Sequence, residues 1–182
     1  GWEKGQITMD VIEKVVYLEG YITDITERVE KEQALKQIDE KFRQLYETMT
    51  QGIVYQDRSG NIISANPAAA RILGLSHDEL TGRSSMNPEW RSIHADGSDY
   101  PGETHPAMIA LKTGVVQEGE IIGVFHPEKQ EYRWIKVSAI PQFESGSTTP
   151  TGVFAIFEDI TELKEIENRL RNQEAVFQAM LK

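Results

Sequence analysis

Cysteine is absent from the 182 residues. Disulfides, thiolate zinc sites and cysteine nucleophiles are therefore excluded. Positive charge is scarce as well: 19 Lys and Arg face 29 Asp and Glu, a formal charge of −10. That balance opposes binding to nucleic acid or to an anionic membrane surface. No basic patch hides inside the total, because residues 50–160 alone carry −6. There is no apolar run near about 18 residues and no charged-then-apolar leader. Neither a membrane span nor direct membrane contact is expected, and the expected compartment is the cytoplasm. Gly-x-Ser-x-Gly, Gly-x-x-x-x-Gly-Lys, His-Glu-x-x-His and kinase ATP motifs are missing too, so no catalysis is expected of this chain. What is present suits a globular protein, 39% hydrophobic and 26% charged. Its length exceeds one domain of about 150 residues by a remainder.

The remainder is a repeat. Tyr21-Ile22-Thr23-Asp24-Ile25-Thr26-Glu27 returns as Ile156-Phe157-Glu158-Asp159-Ile160-Thr161-Glu162. The same offset of 135 pairs Glu30 with Glu165, Leu35 with Leu170, Phe42 with Phe177 and Leu45 with Met180 without a gap. Self-similarity at one offset marks a repeated unit. The chain then holds the end of one repeat, its connector, a complete repeat and most of a second connector. Its ends are expected to be cuts through a longer protein.

Both connectors are expected to be helices. Asp24 and Asp159 stand as N-caps, with Glu27 and Glu162 three positions on, the spacing of a capping box. Leu35, Ile38, Phe42, Leu45 and Met49 are then spaced 3-4-3-4. Leu163, Ile166, Leu170, Phe177 and Met180 hold the same frame, with Gln173 at one seam position. Such a seam suits a two-stranded coiled coil or docking onto an apolar surface. A helix packed on its own domain shows the same pattern, but it need not repeat its phase, so a homodimer through the connectors is expected. Ahead of them, residues 6–12 and 14–23 are expected to pair as a hairpin whose Val15, Val16, Tyr17 and Leu18 need cover.

Between the connectors, residues 53–56 and 61–65 read as short strands around the turn Asp57-Arg58-Ser59-Gly60. Asn66-Pro67 is an N-cap followed by proline at the first helical position, with Gly74 as the stop. Ser76-His77-Asp78-Glu79 is a capping box opening a short helix that ends near Gly82. Residues 83–104 show no period. A helix from His105 or Pro106 to Lys112 stops at Gly114. Three longer strands follow, at 118–126, 131–142 and 151–158. In the second, Ile135, Val137 and Ala139 alternate with Trp134, Lys136 and Ser138. In the third, Val153, Ala155 and Phe157 alternate with Phe154 and Ile156. A strand apolar on both faces needs cover on both.

This order resembles the PAS domain family of signalling sensors. The residues that carry the resemblance are Gly52-Ile53, Asp57 to Gly60, Asn66-Pro67-Ala68-Ala69, Gly74 to Gly82, Arg133 to Ala139 and the closing Asp159-Ile160-Thr161. The last is the most specific. The resemblance implies an α+β fold with a five-stranded antiparallel sheet, short helices on one face and flanking coiled-coil-like helices. The implied map runs from the last strands of a preceding PAS-like repeat (1–23), through a connector helix (24–49) and a PAS domain (50–160), to a second connector helix (161–182). The stretch from Trp90 to Gly97, continuing through Pro101-Gly102-Glu103 to Ala107, is similar to a subset of bacterial and archaeal PAS domains in sensor kinases. That likeness implies a two-component histidine kinase as parent, with downstream signalling domains on the same chain. The missing cysteine also removes the cysteine-adduct photosensors of the family.

The resemblance places ligand contacts within residues 84–112 and the last three strands. Trp90 and Arg91, with Trp134, could line a site for a small carboxylate or a ring compound, although alternation puts Trp134 on the outer face against a connector helix. His94 with Asp96 suits a loop hydrogen bond better than a metal. His105 opens the helix from which haem-binding relatives present an axial histidine, or else it caps that helix, and Met108 follows it. His77 and His126 are expected to be solvated, and Arg133 to pair with surface carboxylates. The cofactor stays unnamed. Haem and flavin are not favoured, and no phosphate-cradling glycine loop is present for a flavin. Asp159, Ile160, Thr161 and Glu162 are the expected relay from the last strand into the second helix. The alternative to a sensor is a structural dimerisation spacer with a filled core and no ligand.

Overall fold

The computed structural model describes residues 2–4, 8–12, 15–19, 22–87 and 89–180, with side chains from residue 23 onward. The chain divides into two compact units, residues 1–46 and 47–182. In the first, β1 (Trp2–Lys4) pairs antiparallel with β4 (Ile22–Asp24), and β2 (Thr8–Ile12) with β3 (Val15–Glu19). Of the hairpin expected over 6–12 and 14–23, a backbone ladder runs in the register Thr8↔Glu19 to Ile12↔Val15, whereas Ile22 and Thr23 pair with Lys4 and Glu3 of β1. Residues 6, 7, 14, 20 and 21, and the side chains of Val15 to Leu18, lie outside the described residues. Helix α1 (Thr26–Thr48) starts where the Asp24 carboxylate accepts the Thr26 amide at 2.9 Å. The Glu of the expected capping box, Glu27, ion-pairs one turn on with Lys31 at 2.6 Å. Leu35, Ile38, Phe42 and Leu45 are between 63% and 67% exposed, so the apolar seam is laid open along the helix.

The second unit is built on strands β5 (Gly52–Asp57), β6 (Ile62–Ala65), β7 (Ser92–Ile93), β8 (Gln117–His126), β9 (Glu131–Gln142) and β10 (Gly152–Asp159). They form one antiparallel sheet in the order β6-β5-β10-β9-β8-β7. Five of these strands were expected. The sixth, β7, is two residues long and offers no alternation to read. It pairs with Val124 and Gly123 at the edge of β8.

Short helices cover one face because their ends are fixed locally. Asn66 is fully buried at the start of α2 (Pro67–Leu73). Its Oδ1 accepts the amides of Ala69 and Ile53, both at 2.9 Å, and its Nδ2 donates to the Gln51 carbonyl. One side chain therefore caps α2 and ties it to β5. α2 ends at Gly74, in the left-handed region at φ 65°, with its N–H on the Ala70 carbonyl. α3 (His77–Leu80) has the full Ser76/Glu79 capping box, and the Ser76 amide and hydroxyl hold the Glu79 carboxyl below the usual range. α4 (Pro106–Thr113) begins on proline and stops at Gly114, φ 70°. Val54, Ile122, Val137, Ala155 and Phe157 of the sheet meet Ala69, Leu73, Ala107 and Ala110 of the helices in a single core.

The alternation in β9 and β10 is as read. Ile135, Val137 and Ala139 are buried with Val153, Ala155 and Phe157. On the opposite face Phe154 lies against Tyr55, ring centroids 4.6 Å apart. α5 (Thr161–Met180) follows the sheet, and Leu163, Ile166, Leu170, Phe177 and Met180 are 44% to 78% exposed.

Candidate functional site

A cavity of about 60 Å³ lies between the inner sheet face and the helices. Val54 and Gln56 of β5, Ile122 and Val124 of β8, Ile135 and Val137 of β9, and Ala155 and Phe157 of β10 form its floor. Leu73, Ser84, Ser85, Trp90 and the start of α4 from His105 to Ala107 close it. Among the described residues no Asp, Glu, Lys or Arg stands in that wall.

Gln56, Ser84, Ser85 and His105 interrupt the apolar lining. Gln56 is 3% exposed, and its Oε1 has no hydrogen-bond partner. His105 is buried, with Nε2 2.8 Å from the Ser92 hydroxyl. The Ser92 hydroxyl also lies 3.0 Å from the Tyr100 carbonyl, so its one proton serves either that carbonyl or Nε2, according to the tautomer of the ring. Burial lowers the His105 pKa to about 4, against a smaller upward pull from the Tyr100 carbonyl. The imidazole is neutral at pH 7. His105 makes no side-chain cap bond to α4, so the capping role considered for it gives way to the clamp on Ser92.

The five sequence-predicted ligand residues do not converge. Trp90 and His105 line the cavity. Arg91 lies outside it, its guanidinium 3.5 Å from the centroid of the Phe125 ring. The His94 ring rests 4.2 Å from that of Tyr100, and Tyr100 packs in turn on His105 at 5.2 Å. Asp96 serves the loop by accepting the Ser98 amide and hydroxyl, which lowers its pKa. Met108 turns to the β5–β6 turn, against Gly60. Trp134 lines an outer-face cleft with Lys164 and Glu167 of α5. Arg133 pairs with Glu131 at 2.9 Å and Asp159 at 3.6 Å. His126 corrects its expected solvation: it is 3% exposed, accepts the Lys129 amide at Nδ1 and bonds the Arg71 carbonyl through Nε2. Gln56 and Ser92 are additions. The alternation from Val54 to Gln56 signals the first, whereas Ser92 sits in the stretch without a period.

Haem and flavin do not fit this site. The space is well under the roughly 150 Å³ that admits benzene, and one nitrogen of the axial candidate His105 is already held by Ser92. Among the described residues no group of three His, Cys, Asp or Glu could hold a metal ion. No helix among them is long and apolar enough to cross a membrane.

The strand next to the cavity also holds the exit helix. The Trp134 amide donates to Thr161 Oγ1 at 2.9 Å, and the Ile160 amide to the Trp134 carbonyl at 2.8 Å. Asp159 Oδ1 accepts the Thr161 amide at 2.9 Å. Glu162 is exposed in the first turn of α5.

A mixed α+β unit of this topology, hollow between sheet and helices, is a PAS-type sensor fold. The family model described as the PAS fold matches residues 46–165, and the chain belongs to that family. Among curated proteins it is similar to sporulation kinase E of Bacillus subtilis (strain 168), 24% identical over 173 residues, covering 85% of this chain and 19% of that protein. The chain thus spans about a fifth of the length of this relative. Among solved structures it is similar to the PAS domain of a Colwellia psychrerythraea protein, with a TM-score of 0.52 and 21% identity, covering 69% of this chain and 98% of that one. It is also similar to a domain of a sensory box sensor histidine kinase/response regulator from Geobacter sulfurreducens, with a TM-score of 0.51 and 18% identity, covering 69% and 96%.

Proposed function

We propose that this chain is the sensory and dimerisation segment of a cytoplasmic signal-transduction protein of the histidine kinase type. Ligand or partner state is relayed from the sheet to α5. One observation carries the reading: β9 supplies Ile135 and Val137 to the cavity wall, and the residue before Ile135 gives its amide to Thr161 at the start of α5. A change in cavity contents that moves β9 or β10 alters the register of Asp159, Ile160 and Thr161. A heptad-patterned helix transmits such a change because its packing has discrete alternatives. The small molecule, the homodimer and the downstream domains of the same chain are the partners this reading requires.

The test is made in the full-length protein. Thr161→Val and Asp159→Ala should each change the output or abolish its response to stimulus. Unchanged output and response in both variants would remove the relay. A second reading rests on the cavity's small volume: a dimerisation spacer whose core is essentially filled. Titration with small probes followed by amide shifts separates the two, since saturable binding in the cavity supports the sensor and its absence the spacer, while native mass spectrometry of the purified chain tests the dimer.

A further inference from the structure

The cavity wall also restricts what can occupy it, and this inference rests on the sensor reading above. Gln56 Oε1 is a buried acceptor without a partner in a largely apolar wall, whose other polar members are Ser84, Ser85 and His105. A buried polar atom in that position favours whatever supplies its missing hydrogen bond. The wall offers no carboxylate, ammonium or guanidinium to pair with an ion, and burying an unpaired charge is heavily penalised. His105 does not supply a cation, because its burial keeps the ring neutral at pH 7. Size sets the last limit. A water occupies roughly 30 Å³ of liquid volume and benzene fits a cavity of roughly 150 Å³, so about 60 Å³ holds two or three non-hydrogen atoms. Water fits the volume and wants two to four polar partners, for which Gln56, Ser84, Ser85 and His105 are the polar members of the wall; the other twelve lining residues are apolar or aromatic and favour a molecule that also carries a carbon body.

We infer that the cavity takes an uncharged molecule of two or three non-hydrogen atoms with one hydroxyl donor and a short apolar body, the hydroxyl donating to Gln56 Oε1. Ethanol is the probe of this class. Ethylammonium is a probe of matching size that carries a charge, acetate is an anion one non-hydrogen atom larger, and xenon is apolar.

The experiment follows backbone and Gln side-chain amide shifts of the ¹⁵N-labelled 182-residue chain during titration with each probe. Ethanol should saturate in the millimolar range expected of so small a ligand. Its shifts should centre on Gln56 and the cavity-facing residues of β8 and β9, while acetate and ethylammonium give no saturable change. Gln56→Leu should weaken ethanol about tenfold, one lost hydrogen bond, and strengthen xenon. Gln56→Met is the second variant, should leucine disturb the sheet. Equal ethanol affinity with and without Gln56, or saturable binding of either ion, overturns the assigned class and leaves the cavity a ligand site. If neither ethanol nor xenon saturates, the inference falls together with the sensor reading, and the spacer stands.

Discussion

His105 is 6% exposed, and its pKa falls from 6.5 to about 4 because burial penalises the imidazolium. The unfolded chain therefore binds one more proton than the folded chain between pH 6.5 and pH 4. The resulting stability is fully present above pH 6.5 and is lost as pH falls toward 4. The slope is about 1.4 kcal/mol per pH unit and the total is of order 3 kcal/mol. Urea unfolding of the wild type and of His105→Asn from pH 7 to 4 should give curves that converge on acidification. Glu79 and Asp96, whose lowered pKa values come from Ser76 and Ser98, titrate in both proteins and drop out of the difference. Parallel curves would show that the folded protein protonates His105 as easily as the unfolded chain. The sequence marked His105 as a histidine at the start of a helix. It could not mark Ser92, thirteen residues earlier, because a contact closed by a two-residue strand leaves no periodic trace. Gln56 was legible only as an inward position two residues from Val54. That its Oε1 lacks a partner follows from packing, not from spacing.

At the scale of the element, helix ends were legible and their tertiary duties were not. Asn66, Ser76 and Gly74 stand where cap chemistry requires them, but nothing local says that Gly74 faces a histidine. A Cβ at Gly74 lands on the His126 ring, and the left-handed φ of 65° is unfavourable for any L side chain. Gly74→Ala should cost more than about 2 kcal/mol by thermal or urea unfolding. A cost under about 0.5 kcal/mol would mean that the ring moves aside freely. At the start of α5, Thr161→Val removes the acceptor of the Trp134 amide and should cost about 1–3 kcal/mol, whereas Thr161→Ser should recover most of it. The Asp-Ile-Thr motif announced a helix start correctly. Its hydrogen bond to β9 crosses 27 residues and is visible only once the sheet is assembled.

For the whole molecule, the repeated seam makes a prediction about assembly. Leu35, Ile38, Phe42 and Leu45 on α1, and Leu163, Ile166, Leu170 and Phe177 on α5, are exposed stripes of the kind that two-stranded helix packing covers. Sedimentation equilibrium should find a dimer, and Phe42→Lys with Leu170→Lys should raise its dissociation constant at least tenfold. A wild-type chain that stays monomeric at its highest soluble concentration would dispose of the helical interface. The two seams were readable because heptad spacing is a property of the chain alone. The cavity was not, since its wall draws on β5, β8, β9 and β10 together. The repeated motif holds one more lesson. Asp24 and Asp159 each grip the amide of the threonine two residues on at the same 2.9 Å, yet the two hydroxyls differ: Thr26 turns its own back to Asp24, while Thr161 receives the Trp134 amide. As text the two threonines are interchangeable. As joints they differ, because the second is a rivet through a strand of the sheet, so a scan of substitutions should find that letter dear at its corner for a reason its copy does not spell out.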